Sequence, residues 1–316
     1  MSASRTRVLA LSGGIGGAKL ALGLAQVVAP DDLTIVVNTG DDFEHLGLSI
    51  SPDIDTLVYT LAGLDNPEVG WGRRDETWTF MKALADLGGP DWFRLGDGDL
   101  AMHIERTRRL KAGETLSSVT ADLARRLGIG PRILPASDDP VRTRLTTSDG
   151  VLDFQDYFVR LRCAPEVREI AFVGAETARA LPEILDRLAD AALRAVVLCP
   201  SNPFVSIEPI LAVPGLRQAL RDTQAPVVAV SPIVGGQAIK GPAAKMMREL
   251  GISLTASSVA ARYADFLDGF VLDECDAGLA GAIPTRTLVT RTLMRDLETK
   301  TALATDVLAF ADALWA

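Results

Sequence analysis

The residues Val8-Leu9-Ala10-Leu11-Ser12-Gly13-Gly14-Ile15-Gly16-Gly17-Ala18-Lys19-Leu20 decide the fold class. A short apolar run that stops at glycine reads as a buried strand, and the residues after the glycines read as the start of a helix. A second apolar run, Leu33 to Val37, completes a β-α-β unit made of strand 7–12, a helix over 17–29 and strand 33–38. A strand, a glycine turn and a helix start form a cradle, where free backbone amides and the positive helix end face a phosphate. The plainer alternative is that Gly13, Gly14, Gly16 and Gly17 only allow strand and helix to pack closely. No G-K-[ST] follows, so this is not a Walker loop. Nor is it a clean dinucleotide fingerprint: the second strand ends in Asn38 and Thr39 instead of one ribose-binding acid, which weakens a nicotinamide oxidoreductase reading.

Outward from this unit, strands continue to alternate with helices. A helix entered at Asp53 and Thr56 runs to Gly63, and Asp53 is expected to be an ordinary N-cap. The segment 66–130 is expected to be a mainly helical insertion with helices at 76–87 and 114–127, capping a pocket within a single 1–316 domain. Strand 132–135 and a hairpin over 141–158, turning at Ser148-Asp149-Gly150, follow. Helix 178–193, strand 195–198, helix 214–222 and strand 226–230 come next. Helices 241–250 and 257–267, strand 269–272 and a helix over 299–314 complete the pattern. The expected fold is α/β, a Rossmann-like doubly wound and mostly parallel sheet.

The bulk properties narrow the function classes. With 316 residues, of which 48% are hydrophobic, the chain can build a full core. A net charge of −9 argues against a general nucleic-acid binder, which would carry a basic face. The three cysteines are far apart and form no C-x-x-C pair, so neither a zinc site nor a disulfide framework is signalled. No apolar run approaches the roughly 20 residues a bilayer span needs. A soluble, cytoplasmic protein without membrane or nucleic-acid partners is expected.

Acidic pairs supply the next clue: Asp41-Asp42, Asp53 with Asp55, Asp97 with Asp99, and Asp138-Asp139. Each stands at a turn or strand end, where α/β enzymes place ligands and where aspartates also serve as plain caps. Mg²⁺ favours a few carboxylates together with phosphate oxygens and water. Arg94-Leu95-Gly96-Asp97-Gly98-Asp99 reads as one loop mixing a fixed cation with two acids, and His103 follows Asp99 at helical spacing. His103 is not assigned as a base, and without a G-x-S-x-G elbow a nucleophilic triad has little support. Ser201-Asn202, Gly235-Gly236 and Lys240 follow later strands, which puts them on the same carboxyl edge as the glycine turn. Trp71, Trp78 and Trp92 of the insertion are either core or an apolar wall for a ring.

Ten blocks, in order, resemble the CofD/FbiA transferases of deazaflavin coenzyme biosynthesis. They are S-G-G-x-G-G-A-K-L at 12–20, V-V-N-T-x-D-D at 36–42, I-S-P-D-I-D-T at 50–56, R-L-G-D-G-D at 94–99 and I-L-P-A-S-D-D-P-V at 133–141. F-Q-D-Y-F at 154–158, P-S-N-P at 200–203, V-S-P-I-V-G-G at 230–236, K-G-P-A-A-K at 240–245 and D-x-F-V-L-D at 268–273 follow. The resemblance implies an enzyme that takes a phospho-acid (2-phospho-L-lactate, phosphoenolpyruvate or 3-phosphoglycerate) from its guanosine-diphosphate-linked form. The acceptor would be the ribityl hydroxyl of Fo, a deazariboflavin; GMP would leave, and a precursor of coenzyme F-420 would result.

By the same resemblance, Gly13, Gly14, Gly16, Gly17, Lys19 and Asn38 hold the nucleotide phosphates, and Ser201, Asn202, Gly235 and Gly236 the guanosine side. Asp41, Asp42 and Asp53 would bind Mg²⁺, while Asp55, Arg94 and Asp53 would bind Fo. Asp55 and Asp42 are the expected catalytic carboxylates, Asp55 as base, and a homodimer is expected by family analogy. The rival is a related regulatory family that binds nucleotide-sugars and governs cell shape without catalysis. It carries a D-D-G-G-S-S type segment where this chain has Asp41-Asp42-Phe43-Glu44-His45.

Overall fold

The computed structural model describes residues 5–68, 70–239 and 241–315, so Lys240 of the expected carboxyl-edge loops lies outside the described residues. Seven parallel strands form the central sheet. In spatial order they are Arg286–Thr290, Gly269–Asp273, Val227–Val230, Leu193–Leu198, Arg7–Ser12, Leu33–Val37 and Arg132–Pro135. Strands buried on both faces read as near-continuous apolar runs, and Leu33–Val37, Val227–Val230 and Gly269–Asp273 are buried throughout.

Alternate strand residues feed two separate cores. Val8, Ala10, Ile35 and Val197 meet Leu20 and Leu24 of helix Gly14–Val27 and Leu303 and Val307 of helix Leu297–Leu314. Leu9, Leu11, Val196 and Leu198 meet Ile184, Ile210, Leu216 and Leu220 on the opposite face. Helices therefore cover both faces, as a doubly wound sheet requires. Gly23 explains how closely the first and last helices approach, because a Cβ there would lie 2.2 Å from the carbonyl oxygen of Lys300.

Strand order reverses at Arg7–Ser12, whose neighbours are Leu33–Val37 on one side and Leu193–Leu198 on the other. The loops leaving Ser12 and Leu198 diverge there and open a crevice at the carboxyl ends of the strands, where α/β sheets bind ligands.

Several elements differ from expectation. The first helix starts at Gly14, not 17, because Gly13 is extended and Gly14, at φ 64°, turns the chain, while Gly16 and Gly17 enter the helix. Ser51, not Asp53, is the N-cap of helix Pro52–Leu61, since Pro52 takes the first helical position and frees the Asp53 side chain. The expected loop at 94–99 ends where helix Asp97–Lys111 begins. The expected helix 178–193 shrinks to Pro182–Leu188, as proline fits the first turn but not a helix interior. The hairpin Arg142–Thr147 with Gly150–Asp153 gains an unforeseen third strand, Val167–Val173, and Arg286–Thr290 adds an unforeseen sheet edge. The Phe154–Phe158 end of the hairpin is helical instead of extended.

Candidate active site

A cavity of about 1290 Å³ occupies the crevice at the strand-order reversal. One flank carries Gly13, Gly16, Lys19, Ser201 and Asn202; the other carries Asp55, Tyr59, Arg94, Asp99 and His103. Asp41 and Asp53 stand among the lining residues as well.

The glycine turn is held from three directions. Gly13 N donates to Ser201 Oγ at 3.1 Å and Gly14 N to Asp53 Oδ1 at 2.7 Å, so two cradle amides are already paired with protein oxygens. A Cβ on Gly16 would lie 2.3 Å from Pro200 O, and one on Gly17 would meet Ser12 Oγ at 2.5 Å. Gly14 and Gly17 stand behind the cavity wall, whereas Gly13 and Gly16 line it. Lys19 also lines it, with Nζ donating to Met294 O at 3.2 Å. Asn202 Oδ1 caps Phe204 N at 2.9 Å, while its buried Nδ2 has no hydrogen-bond partner and so keeps a donor for a ligand. Gly235 and Gly236 have positive φ, 56° and 70°, and form a hairpin tip that is not among the residues lining the cavity. The Gly235 amide is tied to Asp276 Oδ2 at 2.9 Å, and it is the flanking Val234 and Ala238 that line the cavity.

Asn38 is fully buried behind the wall and organises the acids. Its Nδ2 donates to Asp53 Oδ2 at 2.9 Å, to Asp41 Oδ1 at 3.3 Å and to Val205 O at 3.0 Å. Burial pushes the Asp53 carboxyl up to about 6, against the pull of Asn38 and the Gly14 amide. Burial, then the charges of Asp53 and Asp42, raise Asp41 well above the carboxylate range. Asp42 is pushed up to about 7 by burial, outweighing Arg142, Arg106 and the 3.0 Å hydrogen bond from Ser51 Oγ. Asp42 does not line the main cavity; it faces a smaller one of about 310 Å³ that also contains Arg142, and its buried Oδ1 has no hydrogen-bond partner.

Among the described residues no three His, Cys, Asp or Glu side chains group closely enough to hold a metal alone. Mg²⁺ does not require such a group, since it commonly takes one or two carboxylates plus phosphate oxygens and water. Asp41 and Asp53 fit that pattern: both line the cavity, both bond the same Asn38 nitrogen, and their like charges in a buried setting would be relieved by a cation.

The remaining acid pairs divide. Asp138 accepts from Ser117 N at 2.7 Å at the start of a helix, and Asp139 pairs with Arg179 at 2.9 Å. Asp97 binds the Thr79 and Phe80 amides at 3.2 and 3.1 Å, capping the neighbouring helix Thr79–Asp86. Those three are structural. Asp99 stays in the cavity, where Tyr59 OH donates to its Oδ1 at 2.6 Å.

Arg94 is exposed, its guanidinium 4.1 Å from the centroid of the Trp78 ring. Trp71 and Trp78 are 52% and 38% exposed, so they are cavity wall and not core. Trp92, half-buried, lines the cavity and packs edge-on against His45 at 5.1 Å. Sequence reasoning missed Arg106, which pairs with Asp55 through both terminal guanidinium nitrogens, one of them at 3.1 Å. It also left His103 unassigned. The signal was present: Asp99, His103 and Arg106 repeat at i, i+4 and i+7, one face of a helix.

A family profile described as 2-phospho-L-lactate transferase CofD matches residues 8–288. A phosphoenolpyruvate transferase of Kitasatospora aureofaciens is 43% identical over 97% of this chain and 98% of its own length. The phosphoenolpyruvate transferase of Streptomyces coelicolor is 42% identical over the same shares of the two chains. That of Mycobacterium tuberculosis is 43% identical over 81% of this chain and 83% of its own. Among solved structures, a UPF0052 family protein from Bacillus halodurans aligns with a TM-score of 0.62 over 98% of this chain and 99% of its own, at 14% identity, a likeness of fold alone. No helix among the described residues is long and apolar enough to cross a membrane. With the family profile covering most of the chain and relatives above two-fifths identical along nearly all of it, this protein belongs to the CofD family of 2-phospho-L-lactate transferases.

Proposed function

We propose that this protein transfers a phosphoenolpyruvyl group from its guanosine-diphosphate-linked form to the terminal ribityl hydroxyl of Fo, releasing GMP. The observation that carries the reading is the two-sided cavity. Its Ile15–Gly16 and Ser201–Asn202 flank offers first-turn amides beyond the two already bonded to Ser201 and Asp53, with the Asn202 side-chain donor, suited to a nucleotide diphosphate. Its Trp71–Trp78–Arg94 flank offers flat aromatic and guanidinium surfaces suited to a deazaflavin ring. The buried acids Asp41 and Asp53 stand in the same cavity. The choice of phosphoenolpyruvate over 2-phospholactate follows the names of the relatives.

In the reaction a bond forms between the acceptor oxygen and the acid-bearing phosphorus, and the anhydride bond to GMP breaks. Phosphoryl transfer asks the protein for positioning and charge neutralisation more than for a covalent nucleophile. Asp41 and Asp53 would hold Mg²⁺, which would supply charge neutralisation to the diphosphate when bound. Asp55 accepts the hydroxyl hydrogen bond and, as base, its proton. Arg94, stacked on Trp78, offers its guanidinium and that indole as a surface for the ring.

The test is a donor panel. Protein, Fo and Mg²⁺ are incubated separately with the guanylylated forms of phosphoenolpyruvate, 2-phospholactate and 3-phosphoglycerate, and products are identified by mass spectrometry. The phosphoenolpyruvyl-linked product is expected. Product only with 2-phospholactate or 3-phosphoglycerate replaces the donor assignment, and tight nucleotide-sugar binding without any transfer supports the regulatory alternative.

A further inference from the structure

Two helices meet beside the cavity through polar side chains where aliphatic packing is usual. Asp55 and Tyr59 project from helix Pro52–Leu61; Asp99, His103 and Arg106 project from helix Asp97–Lys111. Tyr59, His103 and Arg106 are at most 2% exposed, and Asp55 is 5% exposed. Burying such a group costs stability relative to an apolar contact unless every member is satisfied. Four of the five, all but Arg106, line the cavity.

The chemistry fixes the imidazole. Arg106 Nη1 lies 3.3 Å from His103 Nδ1 and 3.1 Å from Asp55 Oδ2. A guanidinium only donates, so Nδ1 accepts and the ring proton sits on Nε2. That nitrogen is 3.1 Å from Asp99 Oδ2 and makes no other contact of hydrogen-bond quality. Three of the four carboxylate oxygens are hydrogen-bonded by protein donors, both of Asp55 by Arg106 and one of Asp99 by Tyr59, while His103 Nε2 stands beside the fourth at 3.1 Å. A carboxylate oxygen accepts more than one hydrogen bond, so lone pairs remain for a ligand. A wall of acceptors repels phosphate and rewards hydroxyl donors.

We propose that His103 is a positioning residue that, backed by Arg106, holds the Asp99 and Asp55 carboxylates as paired acceptors for hydroxyls of a polyol chain on the acceptor. This rests on the reading that the acceptor is a polyol-bearing deazaflavin, and it adds Asp99 to the groups that touch it. Tyr59 fixes the second oxygen of Asp99, and Glu76 fixes the start of the helix by accepting from the Gly98 and Asp99 amides at 2.7 and 2.8 Å.

The test measures KM for Fo and for the guanylylated donor separately, together with kcat/KM for Fo and for an analogue lacking one ribityl hydroxyl. The wild type should use one such analogue at least about tenfold less efficiently than Fo, the scale of a hydrogen bond to a charged acceptor. Asp99→Asn should bring Fo down to the analogue and abolish the discrimination. His103→Leu should raise the Fo KM about tenfold while leaving the donor KM unchanged, and His103→Gln, which restores an N–H near the Nε2 position, should recover most of it. Equal KM changes for both substrates, or discrimination intact in Asp99→Asn, would overturn the proposal. If His103→Leu does not fold, His103→Gln and Asp99→Asn decide it. A wild type that turns over Fo normally while the variants change nothing sinks this inference alone; a wild type inert towards Fo sinks the functional reading and this inference with it.

Discussion

Asn38 Nδ2 donates to Asp53 Oδ2 across 2.9 Å, joining the end of a central strand to the first turn of helix Pro52–Leu61. The same nitrogen reaches Asp41 and a backbone carbonyl, so one neutral amide sits among buried acids. Replacing it removes donors from acceptors that are largely shielded from water. Asn38→Leu should destabilise the protein by about 3 kcal/mol, from lost hydrogen bonds to charged and backbone acceptors. Urea unfolding measures this through the midpoint at unchanged slope. A loss below about 1 kcal/mol would mean the acids do not depend on Asn38.

The same burial predicts a pH dependence. Asp42 at about 7 and Asp53 at about 6 lie above the ordinary unfolded carboxylate value near 4. The folded state therefore keeps protons that the unfolded state has released. Stability from these groups is fully present below about pH 4 and is lost as pH rises through 6 and 7. Linkage caps the Asp42 contribution at about 4 kcal/mol. Since Mg²⁺ favours the ionised forms, it should raise the melting temperature more at pH 8 than at pH 6. A larger shift at the lower pH would contradict the assignment of these acids to the cation.

Gly16 tests the cradle. Its missing Cβ makes room for Pro200 O, so Gly16→Ala forces the first helix and the loop after Leu198 apart. Overpacking of this kind typically costs ~1–3 kcal/mol. The donor KM should rise, while binding of Fo, followed by its fluorescence, should change far less.

Arg94 and Trp78 should act as a unit. Stacked 4.1 Å apart at an exposed site, they should show a coupling of about 0.5–1 kcal/mol in a double-mutant cycle of Arg94→Ala and Trp78→Ala read by Fo affinity. Strict additivity would show that the two contact Fo independently.

Much of this was legible in the sequence, for reasons particular residues make plain. The Val8–Leu11 stretch and the apolar runs at 33–37 and 195–198 could be read because buried parallel strands leave a near-continuous hydrophobic trace. Arg286–Thr290 escaped because an edge strand with half-exposed residues leaves no such trace. Helix Asp97–Lys111 escaped because Asp99, His103 and Arg106 put polar groups on the face it buries, reversing the usual pattern. The acid pairs looked alike in sequence; only position separated Asp138 and Asp139, which cap and pair, from Asp41 and Asp53 beside the cavity. Gly235-Gly236 carried the mark of a ligand loop but serve a hairpin that needs two positive φ angles.

The central claim is transfer to an acceptor, and GMP release measured with and without Fo tests it most directly. With guanylylated phosphoenolpyruvate and Mg²⁺ present, GMP should appear only when Fo is added, in one-to-one ratio with the phosphodiester product. GMP formed equally well without Fo would make the protein a hydrolase and contradict the account.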